Sequence, residues 1–322
     1  MLKKVLLSTG VIIVGALLAA VYFLGPTMGA MFTGKAIFLG NDSPKRYGNA
    51  VLTLAETQGI HADSDDFARA KVEAQAAIES AQSREDLYEP LKKAVKAAGG
   101  KHSNLVTPDQ NAEIEEAIET AEQPSIESDG DIVTAKVPAV DRNADIQSYA
   151  DTLAAGVEDA ACVVVDLRGN GGGDMGPMLA GLSPLLPDGD AMYFHSAMGD
   201  NPVTVDGTAV SGGGTAVSVE AQKNLDVPIA VLVDAGTASS GEATMVAFKG
   251  LENAVSFGQP TAGYATANAV YDFPDGSYLM LTIAQDMDRN GEVYGDSPIA
   301  PDHVVDDELA AAQTWLSKQG CR

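Results

Sequence analysis

In residues 46–58, 64–78 and 84–97 apolar side chains recur every three or four positions, which predicts three amphipathic helices. Ser64 and Ser83 stand where N-caps of the second and third belong, and Gly99-Gly100 ends the third. Beyond residue 130 the pattern changes to short apolar runs broken by turn residues. Residues 131–137 alternate as a strand, 144–157 read as a helix, and 162–167 form a strand of the fully buried type. A glycine-rich turn then leads into an apolar helix around 175–186. Residues 200–218, rich in Gly, Thr and Val, suggest an exposed hairpin. The unbroken run 229–233 is a strand that stops at Asp234, passes through small residues and enters a helix near Gly241. Residues 254–258 read as a further strand, 270–282 as a hairpin turned at Asp275-Gly276, and 306–318 as the last helix. Strands alternating with helices predict an α/β core with a mixed, largely parallel sheet and flanking helices.

Ahead of this pattern, Lys3 and Lys4 precede an apolar run over residues 5–24. Twenty helical residues span about 30 Å, the thickness of a bilayer's hydrocarbon core. The positive flank sets Met1 in the cytoplasm and the remainder outside. The domains expected are therefore a signal anchor at 1–25, a helical region at 26–105, an acidic linker or flap at 106–130, and the α/β core at 131–322. The protein is expected in the cell membrane as a single-pass, extracytoplasmic enzyme, or secreted if the N-terminal segment is cleaved. Asp and Glu total 45 against 20 Lys and Arg, a formal charge of −25. Phosphate backbones are repelled by such a chain, which excludes nucleic acid as a partner. Cys162 and Cys321 are the only cysteines, too few for a zinc site. Cys162 reads as a core residue, and two positions do not establish a disulfide.

The strand–turn–helix at 229–242 carries the first candidate chemistry. Such a turn lifts a serine hydroxyl to the edge of a sheet, beside backbone N–H groups free to hold an oxyanion. Ser239 is then a nucleophile and the Ser240 N–H a donor. The competing reading is that Ser239 only caps the helix. A second strand ends in Arg168-Gly169-Asn170-Gly171-Gly172-Gly173. No Lys-Ser or Lys-Thr follows, so a phosphate loop is excluded, and Gly172 or Gly173 becomes the second oxyanion donor. Asp166 and Arg168 read as a structural ion pair.

Asp166-Leu167-Arg168-Gly169-Asn170-x-Gly172-Gly173, Thr237-Ala238-Ser239-Ser240-Gly241-Glu242, Lys101-His102-Ser103 and Gly258-Gln259-Pro260-Thr261-Ala262-Gly263 occur in the order found in the tail-specific, or C-terminal-processing, serine peptidases, which this chain resembles. The resemblance implies a crotonase-like or ClpP-like core, a peptide or protein substrate, and no metal or cofactor. It maps the nucleophile to Ser239 and the oxyanion donors to Ser240 and Gly172 or Gly173. Members with a serine–lysine dyad carry the lysine at the position of Tyr264, and Lys249 lies too far along the next helix to replace it. The tricorn-like branch uses a histidine, which maps to His102. An acidic residue late in the chain would orient it, with Asp288, Glu292 and Asp296 as candidates. Only 26 residues separate Asn104 from Asp131, too few for the PDZ module of many relatives. A ligand-binding protein on the same scaffold, or an esterase or amidase, are the rival functions.

Overall fold

The computed structural model describes residues 2–117, 122–141 and 144–322, the side chains of 2–17, 115 and 117 excepted. The chain divides into two compact units, one of residues 1–116 with 268–283, the other of 117–267 with 284–322. Residues 118–121 of the expected acidic flap lie outside the described residues.

The first unit begins with α1 (Leu2–Thr33), α2 (Pro44–Gln58), α3 (Asp65–Ser80) and α4 (Glu85–Gly99). The last three are the helices foreseen from periodicity, and Ser64 caps α3 by accepting the Phe67 N–H at 3.1 Å. Ser83 does not cap α4; its N–H and that of Gln82 donate to Asp86 instead. Among the described residues no helix is long and apolar enough to cross a membrane. The run expected to do so lies mostly in residues whose side chains are not described. In α1, Pro26 has no N–H to give the Tyr22 carbonyl four residues back. The Arg46 guanidinium donates there and stacks 3.9 Å above the Tyr22 ring. After α4 come β1 (Asn104–Val106) and α5 (Pro108–Ala117).

The second unit follows with β2 (Ser125–Asp129), β3 (Ile132–Lys136), α6 (Ile146–Val157), β4 (Cys162–Asp166), α7 (Met175–Leu182), β5 (Gly189–Ser196), β6 (Gly199–Asp206), β7 (Ala209–Ser211), β8 (Val217–Ser218), β9 (Ile229–Val233), α8 (Ser240–Phe248) and β10 (Ala254–Gly258). Strands β11 (Thr266–Asp272) and β12 (Tyr278–Asp288) each run from one unit into the other, and β13 (His303–Val304) and α9 (Glu308–Lys318) end the chain.

The central sheet has the order β13-β10-β9-β4-β3-β2, parallel except for β2. Strands β4 and β9 are buried along their whole length. Val163, Val165, Ile229, Val231 and Val233 pack into the core shared with α6, α7 and α8. Cys162, Val164, Ala230 and Leu232 face the opposite core, under α9. Two covered faces explain why these strands read as continuous apolar runs.

In the second unit β5, β6, β7 and β8 form antiparallel ladders, with β5 pairing the end of β12. This antiparallel layer enlarges the hairpin expected at 200–218, and β5 went unforeseen. The hairpin of residues 268–283, expected within the α/β core, groups with the helical unit. Its Tyr271, Phe273, Leu279 and Leu281 fill that unit's core against α2 and α4, with Tyr47 and Phe273 rings 4.9 Å apart. Cys162 is not a free core thiol: it is disulfide-bonded to Cys321.

Candidate active site

At the end of β9 the chain is laced to the loop that follows β4. Asp234 Oδ1 accepts the Gly169 and Gly236 N–H groups, each at 2.9 Å. The buried Thr237 hydroxyl donates to the Leu167 carbonyl at 2.9 Å, and Ala238 N–H to the Asn170 carbonyl at 2.8 Å. Asn170, fully buried, completes the lacing by donating to the Val137 carbonyl and accepting the Gly172 N–H.

This lacing delivers Ser239 in an unusual conformation, with φ +52° and ψ −120°, the only positive φ among the described non-glycine residues. An ordinary N-cap serine has extended backbone, so capping alone does not account for Ser239. A side chain held in that region costs about 1–3 kcal/mol and persists only where its surroundings enforce it. Glu242 does so from the first turn of α8. Its buried carboxylate accepts Ser239 N–H at 3.0 Å, Tyr264 N–H at 2.7 Å, Gly263 N–H at 2.8 Å and the Thr261 hydroxyl. One carboxylate thus ties the Ser239 turn to the Gly258–Gly263 motif and Tyr264.

Gly172 lies against the serine. With φ +106°, a Cβ there would meet Ser239 Cβ at 2.7 Å and Ser240 N at 3.1 Å, so only glycine fits. Its N–H is engaged by Asn170 Oδ1 at 2.9 Å. Gly173 accepts the Ser240 hydroxyl through its carbonyl at 2.6 Å. The N–H groups of Gly173 and Ser240 donate to no acceptor among the described residues.

His102 belongs to the first unit, half-buried in the turn before β1. Its Nε2 lies 3.0 Å from Asn268 Nδ2. Asn268 Oδ1 accepts the Thr282 hydroxyl at 2.7 Å, and Thr282 pairs with the buried Ser103 through its hydroxyl and its N–H. Neither Asn268 nor Thr282 was singled out in the sequence, since polar residues in a hairpin carry no signal for a distant histidine.

Asp288, Glu292 and Asp296, the carboxylates expected in that role, belong to the second unit. Asp288 closes its own turn, accepting the Asn290 and Glu292 N–H groups and the Tyr294 hydroxyl. Burial first, then the Asp288 charge, push the Tyr294 phenol upward. Asp288 and Glu292 line a cavity of about 410 Å³ with Lys249, at the opposite end of α8 from Ser239. Asp296 is exposed. Asp166 and Arg168 do form an ion pair, bidentate at 2.8 and 2.9 Å. Burial raises the Asp166 carboxyl, but the Arg168 hydrogen bonds and the Lys136 charge outweigh it and hold the carboxyl below its usual range. His195 pairs with Asp200 at 2.6 Å across β5 and β6.

The family model for peptidase family S41 matches residues 131–305, just over half of the chain and inclusive of every motif except the one at His102. A nisin-resistance protein of Lactococcus lactis subsp. lactis is 32% identical over 323 residues, covering 98% of each chain. The carboxy-terminal processing protease CtpA of Bacillus subtilis (strain 168) is 28% identical over 165 residues, 48% of this chain and 33% of that one. Among solved structures, a lipoprotein from Streptococcus agalactiae matches with a TM-score of 0.74 at 27% identity, covering 88% of this chain and 99% of that one. The chain belongs to peptidase family S41 and is a serine peptidase, related to the C-terminal-processing proteases.

Proposed function

We propose that this protein is a membrane-tethered, extracytoplasmic peptidase that cleaves peptides of the nisin kind, with Ser239 as nucleophile and His102 as general base. The conformation of Ser239 carries the reading: a strained serine at a strand–helix turn, pressed against Gly172. Ser239 Oγ attacks the scissile carbonyl while His102 takes its proton, since imidazole titrates near neutrality. The oxyanion is held by the N–H groups of Ser240 and Gly173, the latter chosen over Gly172 because the Gly172 N–H is engaged. His102 then protonates the leaving amine, and water releases the acyl group. Asn268 is the orienting partner. For that role its oxygen accepts the Nε2 proton while its nitrogen donates to the Thr282 hydroxyl, so that Nδ1 takes the serine proton.

The substrate class rests on the end-to-end relative named for nisin resistance. A charge of −25 also favours basic peptides over acidic ones. Tethering rests on the lysine-flanked apolar run, within which Leu18, Phe23 and Leu24 are exposed. The Cys162–Cys321 disulfide suits an oxidising compartment, and it leaves no cysteine for a lipid.

Incubating the purified protein with nisin and weighing the fragments by mass spectrometry tests the reading, alongside a fluorophosphonate probe that labels activated serines. Ser239→Ala should lose both cleavage and labelling, and His102→Ala should lose about 10⁴-fold or more in rate. Full cleavage by Ser239→Ala refutes the nucleophile. Intact nisin with a labelled Ser239 removes the substrate and keeps the peptidase.

A further inference from the structure

Behind the nucleophile turn lie two carboxyls satisfied in opposite ways. Glu242 receives four hydrogen bonds. Asp286 on β12 is 1% exposed, and neither carboxyl oxygen has a hydrogen-bond partner among the described residues. Its main chain is fixed on both sides, the N–H donating to Ala265 O at 3.1 Å and the carbonyl accepting Tyr294 N–H at 2.7 Å. One dipeptide links the pair: Tyr264 donates its N–H to Glu242, and Ala265 accepts from Asp286. From the elements packed here, β5 sets Phe194 in register with Asp286, and α8 supplies Glu242, the one charge that bears on it among the described residues. Asp288, two residues further along β12, accepts the Tyr294 hydroxyl at 3.1 Å.

Given Ser239 as the nucleophile, we propose that Asp286 carries a proton in the working enzyme and is a positioning residue for that serine. Its neutral carboxyl leaves Glu242 as the single anion behind the turn. Two carboxylates cannot both ionise in a dry interior, so the one with four donors keeps the charge and the one with none keeps the proton. Burial first, and the Glu242 charge second, push the Asp286 carboxyl well above the usual carboxylate range. When alkali removes that proton, an unpaired anion faces Glu242 and weakens its hold on Ser239 N–H and on the Gly263–Tyr264 backbone. Activity is then lost on the alkaline side for a reason unrelated to His102, whose deprotonation favours catalysis.

Two measurements on the full-length protein test this. Infrared spectroscopy at pH 7 should show the carbonyl band of a protonated carboxylic acid that disappears in Asp286→Asn. Absence of the band, or its survival in the variant, overturns the protonated state. This readout is independent of activity, so it stands even if Ser239 proves unreactive. The rate of fluorophosphonate labelling, followed from pH 6 to pH 10, should fall in the native protein by about tenfold per pH unit once Asp286 ionises. Asp286→Asn, neutral and of the same shape, should label at the native rate near pH 7 and lack that fall. An identical alkaline fall in both proteins, or a folded Asp286→Asn slowed more than tenfold at pH 7, overturns the positioning role.

Discussion

Ser239, the proposed nucleophile, is also the one described non-glycine residue with a positive φ. Its backbone, at φ +52° and ψ −120°, lies where glycine is at ease and serine is not. Ser239→Gly should therefore raise stability by about 1 kcal/mol while abolishing fluorophosphonate labelling. Thermal melting of the two proteins side by side checks this, and a less stable glycine variant would show that the turn is unstrained. The position of the serine was legible in the sequence, because an apolar run ending at Asp234 before small residues is a local pattern. The glycine pair was legible too, but not which member has a free N–H. That depends on Asn170, whose buried amide takes the Gly172 N–H while donating to Val137 in another strand. In the sequence Glu242 is one acidic residue of a short motif, with nothing to mark its partners. Its four donors come from Ser239 and from residues 261–264, some twenty positions away.

At the scale of elements, β4 and β9 announced themselves as buried parallel strands, since both faces are covered and every residue is apolar up to Asp166. The antiparallel β5 did not, because its half-exposed residues give neither a clean alternation nor an apolar run. The disulfide was equally illegible. Cys162 opens β4 and Cys321 follows α9, 159 residues later, and they meet because α9 packs beneath β4 and β9. Closing so long a loop limits the unfolded chain by about 5 kcal/mol on the entropic model. Cys162→Ala paired with Cys321→Ala, or reduction of the native protein, should lower the melting temperature by about 10 °C or more. An unchanged melting temperature would mean that the link adds nothing beyond the packing of α9.

For the whole molecule, the proposed tether makes a claim about fractionation. Full-length protein expressed in cells should stay with membranes through an alkaline carbonate wash, and removal of residues 1–24 should release it. Recovery of the full-length chain in the soluble fraction would sink the anchor. The division of the chain into two units, with residues 268–283 returning to the helical one, is the feature least visible beforehand. Sequence adjacency placed that hairpin with the core strands, whereas its Tyr271, Phe273, Leu279 and Leu281 bury against α2 and α4. Asn268 and Thr282 travel with it, and so the histidine acquires an amide for a neighbour.

What the amino-acid order determined by itself is whatever a few consecutive residues express: the helices of residues 44–99, the buried strands, the strained serine's turn, the glycines beside it and the lysine-flanked apolar run. The three-dimensional fold alone decided the partner of His102, the choice between two glycine amides, the disulfide and the contrast between Glu242 and Asp286. Each of these is a contact between residues distant in the chain. Hydrogen-bond satisfaction and the burial of charge are properties of such contacts, and no local pattern encodes them.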